Sequence, residues 1–392
     1  MTQVSFDNTE VAFKHKSDAK LKQAKWLFSI FNYKWLVKFG PGLTAFGLKL
    51  RLPIKGLVKR TIFEQFCGGE TIQECDQAGN VLFESGVGSI LDYSVEGVED
   101  EATFEQNVDE IKRTIYAAQQ DVKYPFAVFK CTGIGPLHIL EQASNGSLDA
   151  SGKDVFERIR ARIESIASYA NEHHVRLLID AEETWIQDVI DDIVLDLMRK
   201  HNKTEVVIYN TLQMYRTDRL EYLTATIEIA QNENFKLGYK LVRGAYMEKE
   251  RERAAEMGYE SPIQPNKEST DRDFDAALTA CFDNREIVST CLGTHNEDSS
   301  RLLTELMEKA GVDRKDHHFW FAQLYGMSDN ISFNLAQAGY NVAKYLPYGP
   351  IQAVLPYLGR RAQENSSVAG QVGREMSLIV KELSRRKASR NS

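Results

Sequence analysis

Eight short, apolar, β-rich runs separated by helical patterns are the feature that most constrains the fold of this sequence. The alternation begins after about residue 85 and continues to about residue 363. Repeated strand–helix units build a parallel sheet, so the pattern predicts an α/β protein with a (βα)8 barrel, or alternatively a doubly wound sheet. The predicted strands are Gly88–Tyr93, Phe126–Cys131, Val175–Asp180, Glu205–Asn210, Leu237–Val242, Ile287–Gly293, His318–Gln323 and Asn341–Tyr345.

Amphipathic stretches with helix-start signals fill the intervals between these runs. Asp154–Glu172 is strongly amphipathic, and Thr103 is a suitable N-cap residue for the first interval. The basic tail Ser384–Ser392 is expected to fray. The other predicted helices are Thr103–Gln119, Trp185–Lys200, Asp218–Gln231, Asp273–Asp283, Asn296–Ala310, Asp329–Ala338 and Ile351–Gln363.

Basic and large apolar residues are concentrated before the first predicted strand. Between Val11 and Arg60 there are twelve Lys and Arg and a single acid, Asp18, a local charge of +11 against −8 for the whole chain. Such a segment either packs on the main domain as a helical arm or lies on an anionic membrane surface. We therefore predict a mainly helical, basic N-terminal arm at 1–84, a barrel domain at 85–370, and a C-terminal helix with a frayed tail at 371–392.

The charge and cysteine content exclude several classes of protein. A net charge of −8 argues against nucleic-acid binding, and five cysteines without a C-x-x-C motif argue for reduced thiols. No apolar run is long enough to span a bilayer, and no Arg precedes Arg51, which is unlike a transit peptide. We expect a cytoplasmic protein, with the arm as its candidate for peripheral contact with the inner face of the cytoplasmic membrane.

Polar side chains interrupt the apolar runs near their carboxyl ends. In a (βα)8 barrel the catalytic groups lie at these ends of the strands, so the residues there predict an active site. They are Asp92, Lys130, Asp180, Gln213, Lys240, Arg243, Thr294, His295, Gln323 and Tyr345.

The motif Asp180-Ala181-Glu182-Glu183 places three carboxylates directly after a predicted strand. Such a cluster can ligate a divalent metal ion or act as an acid or base. Alternatively, Glu182 and Glu183 complement the dipole of the helix that follows. The sequence leaves these interpretations open.

A second motif, Arg243-Gly244-Ala245-Tyr246, follows the strand that contains Lys240. The Gly-Ala pair removes side-chain bulk, so that backbone N–H groups can approach a ligand closely. The two cations suit an anionic or electron-rich cofactor, although a tight turn with incidental charges has the same pattern.

The most informative motif comes after the last predicted strand. On a helix Tyr357, Arg360, Arg361 and Glu364 share one face, and Glu364 can pair with Arg360. Two adjacent guanidinium groups can grip a carboxylate bidentately. The helix therefore predicts a binding site for a carboxylate substrate.

Other nucleotide and metal motifs are absent from the sequence. There is no G-x-G-x-x-G or P-loop motif, which argues against a classical dinucleotide fold or phosphate cradle. His173–His174 and His317–His318 lack metal-ligand spacing, so we interpret both pairs as structural or surface residues.

In combination, four motifs resemble the proline dehydrogenase family. They are Asp-Ala-Glu-Glu at 180–183, Lys-Leu-Val-Arg-Gly-Ala-Tyr at 240–246, Thr-His-Asn at 294–296 and Tyr-Leu-x-Arg-Arg-x-x-Glu-Asn at 357–365. The resemblance covers about residues 85–370 and implies a distorted (βα)8 barrel, an FAD cofactor, no metal, and oxidation of L-proline to 1-pyrroline-5-carboxylate. It also implies electron transfer to a membrane quinone. Without an aldehyde dehydrogenase module, the chain is expected to be monofunctional.

The resemblance also assigns roles to individual residues. For the cofactor it implies Asp180, Ala181, Gln213, Lys240, Arg243, Gly244, Ala245, Thr294, His295 and Asn365. For the substrate it implies Lys130, Asp180, Tyr246, Leu324, Tyr345, Tyr357, Arg360, Arg361 and Glu364. Many bacterial members carry Arg where this chain has Lys240, and Lys lacks the bidentate fork of Arg.

Two other functions are compatible with the motifs. One is a barrel aldolase that uses Lys130 or Lys240 with Asp180, through a Schiff base or a metal ion. The other is a non-catalytic, membrane-associated barrel protein. Flavin colour that proline bleaches would distinguish the dehydrogenase from both.

Overall fold

The eight predicted strands form one closed parallel barrel in chain order. The computed structural model describes the backbone of residues 4–30, 55–95, 99–367 and 371–391, and their side chains except those of 362–367, 371 and 372. The prediction of a barrel is thereby confirmed, and the doubly wound sheet is excluded. The strands are β1 (Val87–Tyr93), β2 (Phe126–Lys130), β3 (Arg176–Asp180), β4 (Ile208–Gln213), β5 (Leu237–Val242), β6 (Val288–Gly293), β7 (Phe319–Leu324) and β8 (Val342–Tyr348).

Two strands differ from their predicted bounds in a way that affects the site. β4 starts three residues late because Asn202 accepts hydrogen bonds from Val207 N and Ile208 N, which holds the preceding residues in a turn. Gln213 is consequently the last residue of β4. β8 continues to Tyr348, paired with Tyr93 of β1, so Tyr345 lies inside the strand and not at its end.

Helices precede the barrel, alternate with its strands and follow the last one. Their bounds in the described residues are α1 (Thr9–Phe13), α2 (Asp18–Ile30), α3 (Lys55–Val58), α4 (Glu64–Phe66), α5 (Ile72–Phe83), α6 (Glu101–Gln120), α7 (Leu137–Ser144), α8 (Ala150–Glu172), α9 (Thr184–His201), α10 (Arg219–Glu233), α11 (Met247–Met257), α12 (Lys267–Asp283), α13 (Glu297–Lys309), α14 (Asp329–Gln337), α15 (Ile351–Ser367) and α16 (Gln371–Asn391). A π-helical turn, Lys59–Phe63, and a 3-10 turn, Cys131–Gly133, complete the set.

At two helix ends the structure differs from the prediction. The N-cap of α6 is Asp100, which accepts a hydrogen bond of 2.9 Å from Thr103 N, so Thr103 lies in the first turn. The expected fraying at Ser384 does not occur, because α16 continues to Asn391. Arg386 of this helix pairs with Glu382 and with Asp18 of α2, which explains the order of the basic end.

The chain folds as two compact units. One unit combines Met1–Glu96 with Gln323–Ser392, and the other is the continuous segment Gly97–Ala322. In the first unit, the N-terminal helices bury their apolar faces against α15 and α16. This core contains Phe13, Leu21, Leu27, Phe28, Phe63, Phe66, Val354, Leu358, Leu378 and Ile379.

The described part of the basic arm therefore packs on the first unit. Trp26 stays 54% exposed on the outer face of α2. Positions 31–54, which carry the rest of the basic arm, lie outside the described residues. Within the described part of the chain, none of the helices combines the length and low polarity needed to span a membrane.

In the second unit, aromatic rings pack near the amino ends of the strands. Phe126 of β2 makes edge contacts with Tyr209 and Trp320, with ring centroids 5.5 and 5.4 Å apart. The opposite ends of these strands carry polar residues, and the candidate site begins there.

Candidate active site

A buried carboxylate with two lysines lies at the carboxyl ends of the second unit's strands. Asp180 ends β3 and is 9% exposed. Lys240 of β5 donates a hydrogen bond to Asp180 Oδ1, and Lys130 Nζ lies 3.7 Å from its Oδ2. We call Lys130, Asp180 and Lys240 the lysine–aspartate cluster. Its two ammonium groups against one carboxylate make this position favourable for an anion.

The other two acids of the motif bind neighbouring loops. Glu182 is buried and accepts hydrogen bonds from Thr132 N, at 3.0 Å, and from Thr132 Oγ1. Burial raises the pKa of Glu182 to about 7, and the negative charge of Glu183 adds to this effect. Glu183 forms an ion pair with Lys249 of α11. Glu182 therefore connects two loops and Glu183 connects its loop to α11, roles that neither the metal nor the helix-dipole interpretation anticipated.

Gln213 connects two of the predicted motifs through its side-chain amide. Its Nε2 donates to the carbonyl of Glu182 at 2.7 Å, and its Oε1 accepts from Ala245 N at 3.1 Å. The loops after β3 and β5 are thus fixed by one side chain from the strand between them. Gln213 makes both contacts from its position as the last residue of β4.

The turn after β5 needs its glycine. Gly244 has φ +140, and a Cβ there would lie 2.4 Å from Cγ of Tyr215. Because side chains are strained at that φ and the ring leaves no space, glycine is required. Ala245 and Tyr246 follow half-buried, and Tyr246 is the N-cap residue of α11.

Arg243 connects this turn to the end of β6. Its Nη1 donates to Thr294 Oγ1 at 2.7 Å, its Nη2 to Ser299 Oγ at 3.0 Å, and its Nε to Asp271 at 2.7 Å. The guanidinium also lies 4.3 Å from the centre of the Phe274 ring. Arg243 and Thr294, which the sequence predicts in one site, are therefore in direct contact, and His295 follows half-buried.

The first unit carries the other predicted residues. Leu324 ends β7, and the next residue, Tyr325, donates its backbone N–H to the carbonyl of Tyr345 at 2.8 Å. In α15, Arg361 lies over the ring of Tyr357, with Cζ 5.3 Å from the ring centroid. Tyr357 and Arg361 are 4% and 8% exposed, so this helix face is enclosed and not a solvated surface.

Several predicted residues lie outside these groups. Asp92 accepts a hydrogen bond of 2.7 Å from Ser94, and Gln323 accepts one of 2.8 Å from Ser332. Glu364 and Asn365 fall within α15, but their side chains are outside the described residues. The predicted pairing of Arg360 with Glu364 therefore stays a prediction.

The histidine pair before β7 belongs to a separate cluster. His318 Nδ1 lies 2.7 Å from Asp316 Oδ1, and the ligand atoms of Asp316, His317 and His318 all lie within 4.8 Å of one another. These residues precede the first residue of β7, at the strand end opposite to the predicted site. The spacing of these residues in the sequence did not predict that their ligand atoms lie close together.

Sequence reasoning missed three residues that support the site. Thr132 binds Glu182, Tyr215 packs against Gly244, and Lys344 lies fully buried next to Tyr345. Of these three residues, Lys344 could have been found from the sequence, because a lysine between apolar residues in a predicted strand needs a buried partner.

Comparisons with known proteins agree with the motifs. The profile of the proline dehydrogenase family matches residues 75–374. The carbapenem antibiotics biosynthesis protein CarD of Pectobacterium carotovorum subsp. carotovorum is 36% identical over 322 residues, which cover 82% of this chain and 83% of that protein. Mitochondrial proline dehydrogenase 1 of Arabidopsis thaliana is 32% identical over 377 residues, covering 85% of this chain and 76% of that protein.

Other relatives are longer than this chain. Mitochondrial proline dehydrogenase 1 of Homo sapiens is 45% identical over 233 residues, 58% of this chain but 39% of that protein. The structure of proline utilization A from Bdellovibrio bacteriovorus, inactivated by N-propargylglycine, aligns with a TM-score of 0.74 at 17% identity. That alignment covers 92% of this chain and 42% of the other, and at this identity it supports the fold alone.

Proposed function

Because the chain belongs to the proline dehydrogenase family, we propose that it oxidises L-proline to 1-pyrroline-5-carboxylate, with FAD as hydride acceptor and a membrane quinone as final electron acceptor. The observation that carries the proposal is the family match over 75–374, which includes every predicted site residue. The family is flavin-dependent. To this family match we add three proposals: FAD as the flavin, a quinone as the final acceptor, and the roles of the individual residues.

The arginine pair of α15 is the proposed clamp for the substrate carboxylate. Two planar guanidinium groups on one helix face suit bidentate binding of a carboxylate. Stacking of Arg361 on Tyr357 restricts its rotamers before substrate arrives, so less conformational entropy is lost on binding. Tyr345 and Leu324 are the proposed walls for the pyrrolidine ring.

The polar groups of the second unit fit an anionic cofactor. Lys130 and Lys240 share the carboxylate of Asp180, and Arg243 and Lys267 share that of Asp271, so each group has one cation more than it has carboxylates. Small residues Ala181, Gly244 and Ala245 allow close approach of a planar ring, and Thr294 and His295 are further proposed contacts. Bound flavin would supply the hydride acceptor and gain negative charge, which these cations stabilise.

The reaction breaks the C5–H and N–H bonds of proline and forms a C5=N double bond, releasing a hydride and a proton. The chain's own contribution is to hold the ring in one orientation and keep the amine uncharged. Cations near a secondary amine disfavour its protonated form, and the arginine pair of α15 supplies two such charges. The carboxylate clamp then keeps the oriented substrate in place during transfer.

The lysines themselves are poor candidates for a Schiff base. Lys240 and Lys130 both pair with Asp180, and an ion-paired ammonium group has no free electron pair for attack on a carbonyl. This contact pattern argues against the Schiff-base form of the aldolase interpretation.

We further propose a peripheral membrane contact by the arm, consistent with a cytoplasmic protein that delivers electrons to a membrane quinone. In α2, Lys22, Lys25 and Trp26 are exposed and have i, i+3, i+4 spacing, so they share a face opposite the buried Ala24 and Leu27. A face with two cations and an indole suits an anionic lipid surface.

The test uses the purified full chain. We expect a yellow protein whose flavin absorbance bleaches on anaerobic addition of L-proline and returns when a soluble quinone is added. Borohydride reduction of the product should return L-proline, because the C5=N bond leaves the stereocentre at the α-carbon intact, whereas racemic proline would indicate oxidation at the α-carbon. A colourless protein, or a flavin that proline does not reduce, would contradict the proposal.

A further inference from the structure

Three charged side chains meet inside the first unit, away from the groups assigned to flavin. Asp329, at the start of α14, lies 2.9 Å from Lys344 Nζ of β8 and 2.7 Å from Lys16 Nζ of the N-terminal segment. The Lys344 and Asp329 side chains are 0% and 4% exposed. We call Lys16, Asp329 and Lys344 the Asp329 cluster. Charges this deeply buried are costly unless they are paired and hydrogen-bonded.

Lys344 also binds the loop that follows β7. Its Nζ donates to the carbonyl of Met327 at 2.6 Å and contacts that of Leu324 at 3.4 Å. We call 324–328 the β7–α14 loop. Tyr325 N, in the same loop, donates to the carbonyl of Tyr345. One ammonium group therefore holds the backbone of Leu324 beside that of Tyr345.

The β7–α14 loop has a shape that its own residues do not favour. Gly326 has φ +78, and Ser328 adopts φ +50, which is rare for a residue with a side chain. Such a conformation persists when surrounding contacts over-determine it. Besides Lys344, these contacts are a 2.8 Å hydrogen bond from Gln65 Nε2 to the Gly326 carbonyl, and one from Ser328 N to the buried Glu375.

The N-terminal segment completes this support. Lys16 contributes the second cation on Asp329, and Asn330 and Asn334 of α14 donate to the carbonyls of Phe6 and Asn8 at 3.3 and 3.2 Å. The N-terminal segment is thus bound to α14, the helix that begins directly after the β7–α14 loop.

We propose that Lys344 is a positioning residue for the substrate ring: through the Asp329 cluster it fixes the β7–α14 loop and so the placement of Leu324 against Tyr345. The inference rests on the proposed function, in which those two side chains wall the ring. A lysine serves here better than an apolar side chain, because an ammonium group bonds two carbonyls and a carboxylate at once.

The test compares three variants of the full-length flavoprotein. Lys344→Met keeps the length of the side chain and removes its donors. Gln65→Leu removes an independent hydrogen bond to the same loop without changing a charge. Lys123→Met is the matched control, since Lys123 is also buried and ion-paired, with Asp121 at 2.7 Å, but lies in the turn before β2.

We expect Lys344→Met to retain flavin and to raise KM for proline about 10- to 100-fold with a much smaller fall in kcat, because misplacing binding groups by about 1 Å can cost up to about 100-fold. Gln65→Leu should change KM in the same direction by a smaller factor, and Lys123→Met should not change it. Titration of ligands, followed by the change that they cause in the flavin absorbance spectrum, measures binding affinity and gives a second readout. Affinity for cyclopentanecarboxylate, which has the ring, should fall in Lys344→Met, whereas affinity for acetate should not.

An unchanged KM in a flavin-loaded Lys344→Met variant would overturn the proposal, as would an equal loss of affinity for acetate and cyclopentanecarboxylate. If Lys344→Met fails to fold, the Gln65→Leu variant becomes the test, and an unchanged KM for proline in that variant also overturns the proposal. Failure of the proposed function is distinct, because then the wild-type protein itself would not oxidise proline.

Discussion

Lys130 and Asp180 end two neighbouring strands and are paired directly in the β2–β3 register, with Nζ of the lysine 3.7 Å from Oδ2 of the aspartate. The other oxygen of Asp180 accepts a hydrogen bond from Lys240, which comes from β5. One carboxylate thus serves two cations from strands on either side of it. Any change at Asp180 leaves both of them without their shared partner.

Replacing Asp180 with Asn should destabilise the fold strongly. Removing one partner of a buried ion pair typically costs about 3–5 kcal/mol, because the remaining charge is left uncompensated. Urea unfolding of the flavin-free protein at neutral pH measures this loss. Glu233→Gln is the control, since its pair with Arg199 lies on the surface and is worth less than about 1 kcal/mol. Equal losses in the two variants would contradict the assigned role of Asp180.

Replacing Arg360 or Arg361 with Met should retain flavin and weaken proline binding. Loss of one partner of a desolvated charge pair costs about 2–5 kcal/mol, which corresponds to at least a tenfold rise in KM. Arg285→Met is a matched control, because its guanidinium also lies over an aromatic ring, 5.0 Å from the centre of Phe282. Near-normal KM values in both clamp variants would remove the carboxylate-clamp assignment.

Glu375 should make the stability of the protein depend on pH. Burial raises its pKa to about 7, and the charge of Asp329 adds to the effect, whereas an unfolded Glu titrates near about 4.3. A raised carboxyl pKa favours the folded state fully at low pH, and this contribution is lost as the pH rises through about 7. Between pH 5 and 8, wild type should therefore lose up to about 3 kcal/mol relative to Glu375→Gln.

The measurement for Glu375 is urea unfolding of both proteins at several pH values between these limits. Gln keeps an acceptor for Ser328 N, so the variant should preserve the hydrogen bond. Because Glu182, whose pKa is also raised, is present in both proteins, its contribution cancels in the difference. A pH-independent difference between the two proteins would show that the Glu375 carboxyl is not buried as described.

Reversing the charges of Lys22 and Lys25 should weaken membrane contact by the arm. Each basic residue near an anionic surface contributes about 1 kcal/mol, so the double Glu variant should co-sediment much less with anionic liposomes at low salt. Trp26→Ala should weaken binding to a smaller extent. Both changes affect exposed positions of α2, so the fold should be preserved. Failure of the wild-type chain to bind liposomes would leave the arm with a structural role alone.

The family resemblance and the barrel were predictable because both depend on patterns that are local in sequence. Alternating apolar runs located all eight strands, and polar residues at their ends located Lys130, Asp180 and Arg243. The position of β4 was not predictable, since it depends on how the Asn202 side chain caps the preceding turn. For the same reason, the bridging role of Gln213 could not be read from its motif.

Two kinds of structural feature could not be predicted from the sequence patterns. Helix α11 was missed because seven of its eleven residues are charged and it has no apolar face to give a period. The Asp329 cluster joins Lys16 to residues more than 300 positions away, and nothing in the local sequence encodes that contact. The roles assigned to the site residues remain predictions that the variants above test.

The first unit is built from two separate segments, residues 1–96 and 323–392. This arrangement has a consequence for biosynthesis. Residues 97–322 form a continuous segment that can begin to fold while the ribosome is still extending it. Phe13, Leu21 and Phe28 are translated before this segment, whereas their apolar partners on α15 and α16 are translated after it. The apolar face of α2 therefore stays uncovered while residues 97–322 are translated, and we expect chaperones to bind the nascent chain in that interval.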